Sequence, residues 1–430
     1  MKLAAGQMSS GLKTTIFTFG LLLALVGVPM MISFLCLTPL AVMNRDRDAL
    51  GIGSFSFVLM VITLVAGVTV ARHSWRSLQG KPSASLRLPP AWLLAAVFGL
   101  FVAIGIFIYE YDFATSLFFP PVLTVTAVLP PLLAVAWFMD QQADGLTWRR
   151  GLVALAGGAT VSVAIAIALE ILLPVVILTL VFGLGDFVTQ NVQAVLDALA
   201  GRDIASAIAN PAFVYLFVQI AGIAPLAEEL AKPLVALPLL GRLARRDAFL
   251  VGAMAGAGFA ALENVLYAGF GHGFWAGILV VRALGGAIHP LGAGLVSLGW
   301  RDVLRGEPNA WPKAAARFGV AAGVHAIWNG GSLLVITLAG ARFFGQLPPE
   351  INVLGLSAAG TTLAFLLVLG LAALWIGRAV ARGAASPGAI AAESADVPFT
   401  LSDRAVAIWA LACLVAIVPA GITGLQLLMR

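Results

Sequence analysis

Apolar residues fall along this chain in long runs separated by short polar stretches, and that alternation predicts its architecture. The runs lie approximately over 14–43, 51–71, 91–109, 114–139, 151–183, 211–240, 249–270, 274–300, 314–341, 353–377 and 405–428. A hydrocarbon core about 30 Å thick takes roughly 20 residues of helix to cross, and most of the runs reach that length. Inside lipid every backbone amide must be satisfied within its own segment, so the runs are predicted as helices. The fold expected is an all-α polytopic membrane protein with about eleven transmembrane helices. The fifth run is too long for one straight crossing, and Pro174 is where it is expected to break into a span and an interfacial piece.

Composition sharpens this reading. Hydrophobic residues make up 61% of the chain and charged residues only 10%, whereas a soluble domain carries about 25% charged residues. The 46 glycines suit helices that approach one another closely in lipid. A net charge of +5 would suggest nucleic acid as the partner of a soluble protein. In a membrane protein it follows from basic cytoplasmic loops, so no nucleic-acid partner is expected. With the N-terminus inside, the cytoplasmic segments hold 17 Lys/Arg and the opposite segments 5, while Lys232, Arg282 and Arg317 lie within spans. The expected orientation is therefore N-terminus cytoplasmic and C-terminus external.

Cys36 and Cys413 both sit in apolar runs, which predicts neither a disulfide framework nor a cysteine metal site. The first run is about twice the length of a signal-peptide core and reads as a span. Trp275, Trp300 and Trp311, near span ends, read as interfacial anchors, and His73 and His272 as loop residues. No internal repeat is visible. Three regions are expected: 1–210 with about five spans, 211–341 with four, and 342–430 with two spans around a flexible cytoplasmic linker at 378–404.

The four central spans carry ionisable residues that lipid disfavours by about 2.5–3.5 kcal/mol each at mid-depth. Span six holds Glu228, Glu229 and Lys232 followed by Pro233; span seven holds Glu263 and Asn264. Span eight holds Arg282 and His289 followed by Pro290; span nine holds His325 and Asn329. Counted along alternating helices, Glu228, His289 and His325 all fall about six-tenths of the way across, with Glu263 within two or three turns. Glu228 and Lys232 are i,i+4 in the favourable order for an ion pair, and His325 and Asn329 share a helix face. Pro233 and Pro290 each remove a helix hydrogen bond, so kinks are expected beside Glu229 and His289. Arg282 reads as a counter-charge for the cluster, and Glu170, near an end of span five, as an interfacial residue.

Hydrolysis is the chemistry that suits this set. Glu228 or Glu229, held ionised by a cation, can take a proton from water, while histidine and Asn329 donate to the developing oxyanion. A second arrangement has Glu263, His289 and His325 bind a zinc ion, with Glu228 or Glu229 as base. Midplane Glu and His on broken helices also describe a proton-coupled secondary transporter, although no paired repeat halves accompany them.

At these residues the sequence resembles the PrsW family of bacterial intramembrane proteases, relatives of the CAAX-processing and bacteriocin-processing membrane endopeptidases. The resemblance rests on Glu-Glu-x-x-Lys at 228–232, Gly-Phe-x-x-x-Glu-Asn-x-x-Tyr at 258–267, His289 followed by small residues, and His-x-x-x-Asn at 325–329, and it covers about 211–340. At Glu263 the chain departs from the wider group, in which span seven often carries histidine. The resemblance implies a bacterial membrane location, a four-helix catalytic core, catalytic Glu228 and Glu229 and an essential His289. The substrates it implies are single-span membrane proteins such as anti-sigma factors, met within the lipid bilayer.

Overall fold

A computed structural model describes residues 10–139, 146–182, 211–270, 272–343, 352–353, 356–384, 404–405, 407–409, 411 and 413. Helices form where the apolar runs predict them. They are α1 (Ser10–Asn44); α2, built of Arg47–Met60, a π turn Val61–Val65 and Ala66–Leu78; α3 (Ala91–Tyr109); and α4 (Asp112–Met139). Then come α5, built of Trp148–Gly157, a π turn Gly158–Ser162 and Val163–Phe182, and α6, built of Pro211–Val218, a π turn Gln219–Ile223 and Ala224–Ala231. The chain continues through α7 (Arg245–Phe270), α8 (Trp275–Leu284), α9 (Ile288–Leu304), α10 (Ala310–Phe343) and α11 (Ala358–Gly383). Among the described residues nine helices are long and apolar enough to cross a membrane, and α8 with α9 adds a tenth span bent by 42°. The run at 405–428 and the linker at 378–404 lie largely outside the described residues.

Three local expectations change. The helix runs on through Pro174 to Phe182 instead of stopping there. Span eight is broken at 285–287, ahead of His289, so Pro290 falls in the first turn of α9, where a missing N–H costs little. Trp275 is an interior residue at 3% exposure, edge-on to Phe119 and seated over Gly105, where any side chain would collide with the indole.

α7 is the central helix: 94% of its apolar window is buried, against 17% for α1 and α3. Glycines set its neighbours close. A Cβ on Gly252 or Gly256 would run into the backbone of α9, and one on Gly258 into the carbonyl of Leu155 on α5. Close approach of this kind gains dispersion contact that lipid chains cannot supply.

The helix ends at one face of the bundle are tied together by charge. Arg150 pairs with Asp247 at 3.2 Å, and Arg245 and Arg317 both grip Asp302, at 2.9 and 2.7 Å. Fully buried Arg301 donates to the carbonyl of Leu243 and pairs with Asp302 and Glu307. Arg149 reaches the carbonyl of Lys81, and Arg246 that of Met139. The starts of α5, α7 and α10 and the ends of α2, α4 and α9 therefore share one face.

Candidate active site

Pro233 has no N–H, so the α-helix of α6 ends at Ala231 and passes into a 3-10 turn over Lys232–Val235. The turn carries the Lys232 ammonium back to both carboxylates, 3.1 Å from Glu228 Oε2 and 2.6 Å from Glu229 Oε1. Its Nζ also lies 4.6 Å above the Phe259 ring. Lys232 and Glu229 have no exposed surface at all. A pair this deep holds only because each charge has a partner; with one removed, the other would be stranded in low dielectric. Gly292 makes the room, since a Cβ there would stand 2.5 Å from Glu229 Oε2.

The two histidines enter from α9 and α10 and meet edge to face, ring centroids 4.6 Å apart. His325 Nδ1 lies 3.0 Å from Glu229 Oε1, and His289 Nε2 lies 3.1 Å from Glu263 Oε2. A carboxylate oxygen accepts only, so His325 Nδ1 donates its ring proton to Glu229, and the approach of Glu263 favours the ring proton on His289 Nε2. The opposite nitrogens, His289 Nδ1 and His325 Nε2, then hold lone pairs. They face Glu228 Oε2 at 3.8 and 3.6 Å. All three atoms are buried and make no hydrogen bond, although Lys232 stands at ion-pair distance from the Glu228 oxygen. Three acceptors converging in a dry site repel one another unless a cation or donated protons lie among them.

Glu228, His289 and His325 thus form the trio, among the described residues, whose ligand atoms lie within 4.8 Å of one another and can hold a metal ion. Glu263 stands one step out. Arg282 pairs with it at 2.9 Å, donates to Asn264 Oδ1 at 2.5 Å and lies over the Tyr267 ring; Asn264 in turn donates to the Ala127 carbonyl. Both histidines therefore have the outer carboxylate that metal-ligating imidazoles usually have. Lys232 and Arg282 are each engaged by an outer carboxylate, Glu229 and Glu263, and Lys232 also pairs with Glu228.

A cavity of about 260 Å³ opens beside the cluster. Glu228, Glu263 and Asn329 line it, as do Glu170, Gln219, Phe259 and Tyr267. Asn329 lies on the wall, one amide hydrogen given to the Ile220 carbonyl at 3.1 Å. That carbonyl is available because the π turn would bond it to residue 225, which is proline. Glu170, expected at an interface, stands on the wall instead; Gln219 was not anticipated at all. The signal in sequence was Pro174, which deprives the Glu170 carbonyl of its helix partner; Gln219 Nε2 fills that position at 3.2 Å. Glu229 is not on the wall and points to Lys232 and His325.

Residues 147–356 match the model of the PrsW family intramembrane metalloproteases. Neither a curated protein nor a solved structure was found to match the chain. The match starts at 147 and so includes α5 with Glu170, well before the four motif-bearing spans. With four spans converging on one Glu/His cluster inside that match, the segment 147–356 belongs to the PrsW family, and the chain is a multi-pass membrane endopeptidase.

Proposed function

We propose that this enzyme hydrolyses peptide bonds of membrane-embedded substrates, such as single-span anti-sigma-factor-like proteins, in the cavity that opens beside Glu228, His289 and His325. The convergence on one buried point of three lone-pair atoms that accept no hydrogen bond carries this reading. Glu228, His289 and His325 would hold the ion, and their one-carboxylate, two-imidazole set suits zinc. Bound there, zinc would polarise the scissile carbonyl and make water easier to deprotonate near neutral pH.

The chain's own residues have the remaining tasks. Glu228, on the cavity wall, gives the ion only one carboxylate oxygen, and with the other it takes a proton from the attacking water as the water oxygen bonds to the carbonyl carbon. The carboxyl then gives that proton to the amide nitrogen as the C–N bond breaks. The free N–H of Asn329 donates to the developing oxyanion. Glu229 and Glu263 fix the tautomers of His325 and His289, while Lys232 and Arg282 neutralise those outer carboxylates. The site lies in the bacterial cell membrane, with the N-terminus cytoplasmic and the C-terminus outside.

Reconstitution with a single-span substrate tests the proposal. Glu228→Gln should leave the protein folded and abolish cleavage, and full cleavage by that variant would remove Glu228 from catalysis. Nothing among the matches favours the proton-coupled transporter. Proton-coupled uptake by wild type, lost in Glu228→Gln and unaccompanied by any proteolysis, would restore it.

A further inference from the structure

We infer that Gln219 and Glu170 form the substrate-docking wall of the cavity, accepting hydrogen bonds from main-chain N–H groups of an unwound membrane-spanning segment. The inference rests on the protease reading above and adds the wall that holds the substrate backbone.

The acceptors are built into the fold. Pro174 cannot donate to the carbonyl of Glu170 four residues earlier, and Gln219 Nε2 donates to it instead at 3.2 Å. That bond spends the amide nitrogen and fixes the side chain. Gln219 Oε1 is then buried on the cavity side without a hydrogen-bond partner. The Glu170 carboxylate lines the same cavity, and no described residue gives it a hydrogen bond or an ion pair. Glu228 and Glu263, by contrast, are each engaged by a cation. This part of the lining therefore presents acceptors in excess of donors.

The substrate supplies what that wall lacks. A spanning helix commits each N–H to a carbonyl four residues back, which shields the scissile bond from attack. Exposing that bond unwinds the helix and frees N–H donors at a depth where no water can take them, at a cost of several kcal/mol per group. Acceptors waiting on the enzyme's wall offset that cost and hold the opened segment in register with Glu228. The ligand class is thus an apolar peptide segment recognised through its backbone, with side-chain sequence secondary.

A backbone-ester scan checks this. In a synthetic single-span substrate, amides flanking the cleavage site are replaced one at a time by esters, which lack the N–H. At one or two positions wild type should show KM raised roughly tenfold, the worth of one hydrogen bond, with kcat within threefold. Gln219→Met and Glu170→Leu should each raise KM similarly for the all-amide substrate. The sensitive ester should cost Gln219→Met nothing further, and Glu170→Gln, which keeps an acceptor, should fall between Glu170→Leu and wild type. Cleavage by wild type with KM unmoved at every ester position overturns the inference and leaves the protease reading intact. A fall confined to kcat in the variants overturns it too. If wild type cleaves no substrate, the protease reading itself fails. If either variant does not fold, the ester scan on the unaltered enzyme still decides.

Discussion

At the scale of single residues, the division of labour among four glutamates decides the chemistry. Glu228 faces the histidine lone pairs, Glu229 and Glu263 sit behind the rings, and Glu170 lines the cavity without a cation of its own. His289→Ala and His325→Ala should each bring bound metal well below one equivalent per chain by elemental analysis of purified protein. Glu229→Gln and Glu263→Gln keep an acceptor for the ring N–H but lose its charge, so metal affinity should drop about 10–100-fold without disappearing. Asn329→Ala should keep its metal and lose roughly 10²–10³-fold in rate, as removal of an oxyanion donor does. Full wild-type activity without stoichiometric metal would sink the ligand assignment. The sequence made the polar set legible, because ionisable groups in apolar runs are costly enough to stand out. It did not reveal the pairing. Glu263 looks like a ligand along the chain because no cation is near it there, and only folding brings Arg282 to it from the next span.

At the scale of elements, proline and glycine set the geometry that the polar residues then use. Pro174 and Pro225 release carbonyls that Gln219 and Asn329 take up, so helix defects on α5 and α6 become fixed side chains on the cavity wall. The long apolar runs were readable as helices from length and hydropathy alone. The break at 285–287 was not, since Pro290 drew attention to the wrong turn while Gly285 and Gly286 were free to open the helix. Gly256 tests how tightly the elements hold the site. A Cβ there would stand 2.3 Å from the His289 carbonyl oxygen, a backbone atom with no way to swing aside. Gly256→Ala should therefore push α9 from α7, separate His289 from Glu263, and cost about 1–3 kcal/mol of stability as an overpacked contact. Gly277→Ala, with nothing within 4 Å of its Cβ, is the matched control and should be neutral. Thermal unfolding in detergent alongside turnover would register both, and equal behaviour of the two variants would refute the packing argument.

At the scale of the whole molecule, the way the bundle faces decides from which side a cleaved fragment leaves. The ion pairs Arg150–Asp247, Arg245–Asp302 and Arg317–Asp302, with the Arg149 and Arg246 bonds to carbonyls, gather six helix ends on one face. Lys13 joins them through the carbonyl of Ser77. This is the face whose segments hold 17 of the Lys/Arg, against 5 on the other. Acidic partners neutralise part of that charge once the protein is folded. Orientation, however, is set while the loops are inserted, when the basic residues act before their partners are in place. The bias should therefore hold despite the folded ion pairs. Reporters fused after Gly80, whose positive φ marks an open turn, and after Lys313 should read cytoplasmic, and one after Glu110 should read external. Replacing Arg72, Arg76, Lys81 and Arg87 with glutamine should weaken or invert the reading after Gly80 and leave Lys313 cytoplasmic, since later loops carry their own excess. An external signal after both Gly80 and Lys313 in the unaltered chain would reverse the assignment. The Glu228 cluster, which the alternating-helix count puts past mid-depth from the outer surface, would then lie nearer the outside, and substrates would be opened from there.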